Sequence, residues 1–178
     1  PMDGGWTYGE VLDKAAAGDF RANMLAGEYW MGLYYLNRGD LPLACLEHMQ
    51  HFFRDAATAS GHPAPKLMMT DPYGIFGIFK AQPMQPEHAE WLAACRKLAE
   101  KGDMDAVTAL YTVTDLPEAE LRRYLAPLEK KAASGDQDAL AQLAFIKVDW
   151  LEENPANVIE TLKQYRKNAK PVLLARIG

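Results

Sequence analysis

The sequence predicts an all-α chain of stacked antiparallel helical hairpins, and three observations support this fold class. Apolar residues recur at helical spacing along most of the chain, and no stretch sustains the period-two alternation of a strand. The dipeptide Gly-Asp occurs four times, each time between two helical runs. Its last two copies lie 33 residues apart, a length typical of helix-turn-helix repeats. The four copies are Gly18-Asp19, Gly39-Asp40, Gly102-Asp103 and Gly135-Asp136.

A Gly-Asp pair is a compact signal for the end of one helix and the start of the next. Glycine adopts the left-handed conformation that closes a helix. Aspartate accepts hydrogen bonds from the first free N–H groups of the following helix. Three copies share a longer context, with alanine three residues after the aspartate and a leucine soon after, as at Asp136, Ala139 and Leu143. Alanine at this early position permits close approach of neighbouring helices.

The elements follow in order from this punctuation. Pro117 stands where a helix start is expected, and Asn154-Pro155 marks a further break. We expect eight helices, at residues 8–17, 20–37, 41–59, 87–101, 104–113, 118–134, 137–152 and 156–169.

The segment at residues 60–86 interrupts the helical pattern and is predicted to be an irregular insertion. It contains five prolines, which exclude a long helix. It also contains many large apolar residues, which are not expected to remain in water. The segment therefore either folds back over the repeats or takes part in binding. The run Gly74–Phe79 has room for a short helical turn.

Length and charge bound the class of protein. The 178 residues suit one domain, residues 1–178, with 49% apolar residues to build a core. The net charge of -5 argues against general affinity for nucleic acid. Residues 160–178 carry five cations and one anion, which is most simply explained by cations gathering near a helix C-terminus.

Compartment and oligomeric state are left open by the sequence. Cys45 and Cys95 lie in apolar helical runs and are expected to be buried free thiols. No apolar run is long enough for a membrane span, and no signal peptide is visible. Because the chain begins at Pro1, this absence is weak support for a cytoplasmic rather than a periplasmic location.

The Gly-Asp contexts resemble a known repeat family. The stretch from Tyr124 through Lys131-Ala132-Ala133-Ser134-Gly135-Asp136 to Leu143-Ala144 is similar to Sel1-like repeats, a variant of the tetratricopeptide superfamily. The stretches 15–29 and 98–111 are similar too. The resemblance implies an α-solenoid that binds proteins or peptides and has no catalytic residues. It also implies a bacterial protein, an adaptor or an immunity partner of a secreted toxin.

Aromatic residues are the leading candidates for protein binding. The segment 29–36 is apolar nearly all round its helix, which favours burial between neighbouring hairpins. The functional alternative is that Trp30, Tyr34 and Tyr35 line a concave groove, as aromatics often do at interfaces. Tyr73 and Phe76, in the irregular insertion, complete the predicted protein-binding set.

Two histidines one helical turn apart are the leading candidates for chemistry. His48 and His51, with Glu47 and Asp55 nearby, could hold a metal ion, but zinc normally requires three or four ligands. Cys45 and His48 lack an orienting third group for nucleophilic catalysis. No phosphate-binding glycine motif occurs, so no catalytic, cofactor or metal residue is assigned.

Two functions from different classes remain. The first is a non-catalytic protein-protein interaction module, whose partner is a toxin or a component of a complex. The alternative is an enzyme, or a metal- or small-molecule-binding protein, with a pocket near His48 and His51 covered by the 60–86 segment. A bound metal or ligand would favour the alternative, whereas tyrosines exposed on one face would favour the first.

Overall fold

The computed structural model describes residues 6–37, 44–69, 86–114 and 116–165. Within these ranges every regular element is a helix, which confirms the all-α prediction. None of the helices in these ranges has the length and apolar character needed to cross a membrane. They are α1 Tyr8–Ala16, α2 Phe20–Asn37, α3 Ala44–Ser60, α4 Pro63–Met69, α5 Pro86–Ala99, α6 Met104–Val113, α7 Glu118–Ala133, α8 Gln137–Asp149 and α9 Pro155–Tyr165.

Helix α4 is the element that the sequence pattern missed. The whole of 60–86 was expected to be irregular, yet residues 63–69 are helical, with Leu67 and Met68 buried. The prolines permit this because Pro63 and Pro65 fall in the first turn, where the helix makes no use of their missing N–H groups. The run Gly74–Phe79, for which a helical turn was predicted, lies outside the described residues.

The chain divides into two compact units. Unit 1 comprises residues 1–99 and 103–115, and unit 2 comprises residues 100–102 and 116–178. In unit 1, α1 packs on α2, α2 on α3, and α4 contacts α3, α5 and α6. In unit 2, α8 lies against both α7 and α9, and Tyr124 and Leu143 are fully buried. The single domain and the regular solenoid stacking stay predictions.

Three of the four Gly-Asp pairs have the predicted corner geometry. Gly18, Gly102 and Gly135 have φ angles of 83°, 81° and 93°, and each follows a helix end. The aspartate after each glycine accepts a hydrogen bond from the N–H of the alanine three residues later, at 2.8 Å or 2.9 Å. These alanines are buried, as close helix approach requires. The fourth pair, Gly39-Asp40, lies outside the described residues.

A glycine inside α2 determines how closely α3 can approach it. A Cβ atom added to Gly27 would lie 2.5 Å from Cε1 of Phe53, closer than two carbon atoms can pack. Phe53 belongs to α3 and is fully buried. The absence of a side chain at Gly27 therefore brings the α3 ring against the backbone of α2, and this approach positions the residues described next.

Candidate functional site

Four rings from three successive helices of unit 1 form a continuous series, here called the aromatic row: Tyr8 on α1, Tyr29 and Trp30 on α2, and His48 on α3. The Tyr8 and Tyr29 ring centroids are 4.7 Å apart. Tyr29 meets Trp30 edge to face at 5.9 Å. Trp30 stacks on His48 at 4.5 Å with an interplanar angle of 25°. Such separations are those of favourable aromatic pairs.

The four rings of the aromatic row differ in exposure: Tyr8 and Trp30 are half-buried, whereas Tyr29 and His48 are exposed. On the same helices, Val11 of α1 and Leu25 and Ala26 of α2 belong to one buried cluster. Tyr29 is 39% exposed, one of two large hydrophobic residues exposed in the described part of the chain. Partial burial raises the pKa of the Tyr8 phenol above its ordinary value, so this hydroxyl stays protonated at neutral pH.

None of the described residues covers Gly32 of α2, the helix that also carries Tyr29 and Trp30. Gly32 lies one turn after Tyr29, and a Cβ added there would meet no heavy atom within 4 Å. This contrasts with Gly27, five residues earlier on the same helix, which is covered by Phe53. Among the described residues, α3 thus covers α2 at Gly27, and nothing covers it at Gly32.

The structure places one of the five predicted protein-binding residues in this row. Trp30 is half-buried, between the alternatives of core and groove. Tyr34 and Tyr35 are described only as backbone of α2, and Tyr73 and Phe76 lie outside the described residues. The sequence-based choice missed Tyr29, because helical spacing alone does not tell which side of an apolar helix its neighbours leave uncovered.

His48 and His51, predicted as a possible metal site, make different contacts. His48 stacks on Trp30. His51 instead pairs with Asp55 on the same helix, with 3.8 Å between Nε2 and Oδ2 and both side chains about half exposed. Within the described ranges, no group of three or more potential metal ligands comes together. His51 thus has a carboxylate partner on its own helix.

Both cysteines are buried free thiols, as expected. Burial, with a smaller contribution from the negative charge of Asp103, raises the pKa of Cys95 to about 12. The Cys95 thiol therefore stays protonated at neutral pH and is a poor nucleophile.

A second cluster of functional side chains in unit 1, here called the polar cluster, was not predicted. It consists of Arg21, His62, Asp103 and Asp105. Arg21 at the start of α2 forms an ion pair with Asp105 of α6. The His62 Nε2 atom lies 3.2 Å from Oδ2 of Asp103, and Oδ1 of Asp103 accepts from the N–H of Ala106.

The pKa values of the two carboxyl groups in the polar cluster are shifted in opposite directions. The hydrogen bond from His62, followed by the bond from the Ala106 N–H, holds the pKa of Asp103 below its usual range, against the effect of burial. Burial raises the pKa of Asp105, which Arg21 partly offsets. Asp103 is therefore favoured in its ionised form, whereas Asp105 is ionised at a cost.

The His62 ring has no nitrogen left for proton transfer. Its Nδ1 atom accepts the N–H of Ala64 at 3.2 Å, so neutral His62 carries its proton on Nε2 and donates it to Asp103. A general base needs one nitrogen facing its substrate while the other is oriented. Here both are engaged, and the His62–Asp103 pair instead connects the start of α4 to the start of α6.

Comparison with family models, curated proteins and solved structures finds no match to this chain.

Proposed function

We propose that this chain is a non-catalytic protein-protein interaction module, and that the aromatic row is its binding surface. The observation that carries the proposal is the row itself: four rings from three helices, each in contact with the next and none of them buried. Tyrosine and tryptophan are the residues most enriched at energetic centres of protein interfaces.

The fold already positions the rings of the row before a partner binds, which supports their role in binding. Each ring in the row contacts the next, so little side-chain freedom is left to lose when a partner binds. Tyrosine and tryptophan also combine a large apolar area with a polar atom, which suits a surface that is wet when free and dry when bound. An adaptor or an immunity protein of the Sel1-like class would have such a surface, and this more specific assignment belongs to the proposal.

The test is capture of a partner from the source organism. The wild-type chain serves as bait beside Tyr29→Ala, which removes an exposed ring of the row. The matched control is Phe145→Ala, since Phe145 in unit 2 is 57% exposed and is the other large exposed hydrophobic in the described residues. Circular dichroism and thermal unfolding establish that each bait is folded.

We expect one stoichiometric protein to be retained by the wild type and by Phe145→Ala, and lost with Tyr29→Ala. Loss of a single central aromatic residue commonly weakens an interface by about 2 kcal/mol or more, a factor of about 30. Equal retention by all three baits would contradict the assignment of the binding surface to the row.

A further inference from the structure

We propose that the aromatic row receives an arginine or lysine side chain, so that the partner binds through a cationic segment. This inference rests on the proposed function, and it adds the chemistry of the partner. It is carried by the charges around the row, the geometry of its rings and the open space beside them.

The sequence around the row is free of positive charge. Within four residues of any ring of the row there are three carboxylates, Glu10, Glu28 and Glu47, and no lysine or arginine. On α3, Glu47 directly precedes His48 and is exposed. A cation at the His48 end of the row would therefore lie near an exposed carboxylate.

The net charge of unit 1 as a whole is also negative. Its sequence contains fourteen acidic and eight basic side chains, a net charge of -6, whereas unit 2 has ten acidic and eleven basic side chains, a net charge of +1. The field of unit 1 thus attracts a cationic segment from a distance. A carboxylate-bearing segment would be repelled by the same surface.

The rings themselves favour a cation. The face of an aromatic ring has negative potential, and an ammonium or guanidinium group within about 6 Å of its centroid is attracted to it. The described part of the chain contains two such contacts: Lys14 Nζ lies 4.6 Å from the Trp6 ring centroid, and the Arg123 guanidinium lies 5.1 Å from that of Tyr124. In the row, each ring contacts another ring, so a cation bound there would come from the partner.

Among the described residues, α2 has room at Gly32 for the aliphatic part of such a side chain. Gly32 lies one turn beyond Tyr29 and has no heavy atom within 4 Å of its added Cβ. Lysine and arginine bury their methylene chains along apolar surfaces while the charged group remains near water or an opposite charge. The uncovered backbone at Gly32 leaves room for such a methylene chain on α2.

The test compares two peptides that differ in charge and little in shape. Acetyl-Gly-Arg-Gly-Arg-Gly-amide and its citrulline counterpart are titrated into the full chain, and the Trp30 indole N–H and the backbone amides of Tyr29 and His48 are followed by NMR. We expect the arginine peptide to bind about two- to fivefold more tightly, as expected for one partly exposed cation–ring contact. Shifts should be confined to the row and its neighbours.

Two variants separate a cation–ring contact from simple apolar packing. Tyr29→Phe keeps the ring and should retain the preference for arginine, whereas Tyr29→Leu keeps apolar volume without a ring and should lose it. Glu47→Gln should weaken the arginine peptide and leave the citrulline peptide unchanged. Both Tyr29 variants are checked for folding by the dispersion of the remaining amide signals.

The proposal is overturned if the two peptides bind equally, if shifts arise away from the row, or if Tyr29→Leu keeps the preference. These results leave the proposed function standing as long as the partner is still captured in a Tyr29-dependent way. If capture is independent of Tyr29, the proposed function fails, and the cation proposal fails with it.

Discussion

The aromatic row and the polar cluster both join three segments of unit 1, yet they differ in what their side chains have left to offer. In the polar cluster, His62 uses both ring nitrogens and Asp103 uses both carboxylate oxygens within the fold. In the row, the rings support one another and Tyr29 still presents 39% of its surface to water. The polar cluster is closed, because its hydrogen-bonding atoms are engaged within the fold. The aromatic row is open, because it still has an exposed ring.

This difference separates stability from binding. A residue whose polar atoms are all engaged by the protein contributes to holding elements together, since removing it leaves partners unsatisfied. An exposed ring on a rigid support contributes little to the fold and is available to a partner. The polar cluster should therefore govern unfolding, and the aromatic row should govern affinity.

The largest expected effect is on the polar cluster. Asp103→Ala removes the cap of α6 and the charged partner of His62, and should lower the free energy of unfolding by about 3 kcal/mol. Asp136→Ala is the matched control, because Asp136 caps α8 in the same way without a histidine partner. It should cost about 1 kcal/mol. Urea unfolding measures both, and equal losses would show that the His62 contact adds nothing.

A smaller effect is expected at the support of the row. Gly27→Ala places a methyl group 2.5 Å from the Phe53 ring and should destabilise the chain by about 1–3 kcal/mol. It should also move α3 away from α2 and loosen the Trp30–His48 stack. Gly32→Ala on the same helix meets open space, so it should stabilise by about 0.5–1 kcal/mol. Thermal unfolding of the pair tests this, and a destabilised Gly32→Ala would contradict the open side of α2.

The pH dependence of stability distinguishes Asp103 from Asp105 within the polar cluster. Because the folded-state pKa of Asp103 is depressed, its ionised form stabilises the fold above the ordinary value of 3.8, and this contribution is lost as pH falls through the depressed pKa. Asp103→Asn should therefore flatten the fall in unfolding free energy as the pH decreases from about 5 through the depressed pKa of Asp103.

Asp105 provides the control with the opposite sign. Its folded-state pKa is raised, so its ionised form costs stability as pH rises through that value. Asp105→Asn should make the acid loss of stability steeper. Urea unfolding at a series of pH values follows both variants, and a change of the same sign in both would contradict the account.

What could be predicted from the sequence depended on how local the determining interactions are. The Gly18, Gly102 and Gly135 corners follow from a glycine and an aspartate next to one another, so their geometry was predictable. The His62–Asp103 contact joins residues 41 apart, and neither residue type indicates the other. Helix α4 was missed because its prolines suggest a break unless their place in a first turn is known.

The same reasoning explains the outcome for the aromatic residues. Segment 29–36 is apolar on all sides, so its sequence predicts contact with neighbours without telling which of its residues remain exposed. The docking of α1 and α3 makes that choice. It leaves Tyr29 exposed and places Trp30 against His48, a selection that belongs to packing between helices rather than to the pattern within one.

The most direct test of the account is isothermal titration of the captured partner into two variants, with thermal unfolding of each measured alongside. Tyr29→Ala should lose affinity by a factor of about 10 or more and unfold within a few degrees of the wild type. Asp103→Asn should unfold at a lower temperature and, measured where it is fully folded, bind as the wild type does. A Tyr29→Ala chain that binds normally, or a folded Asp103→Asn chain that does not bind, would contradict the separation of an open aromatic row from a closed polar cluster.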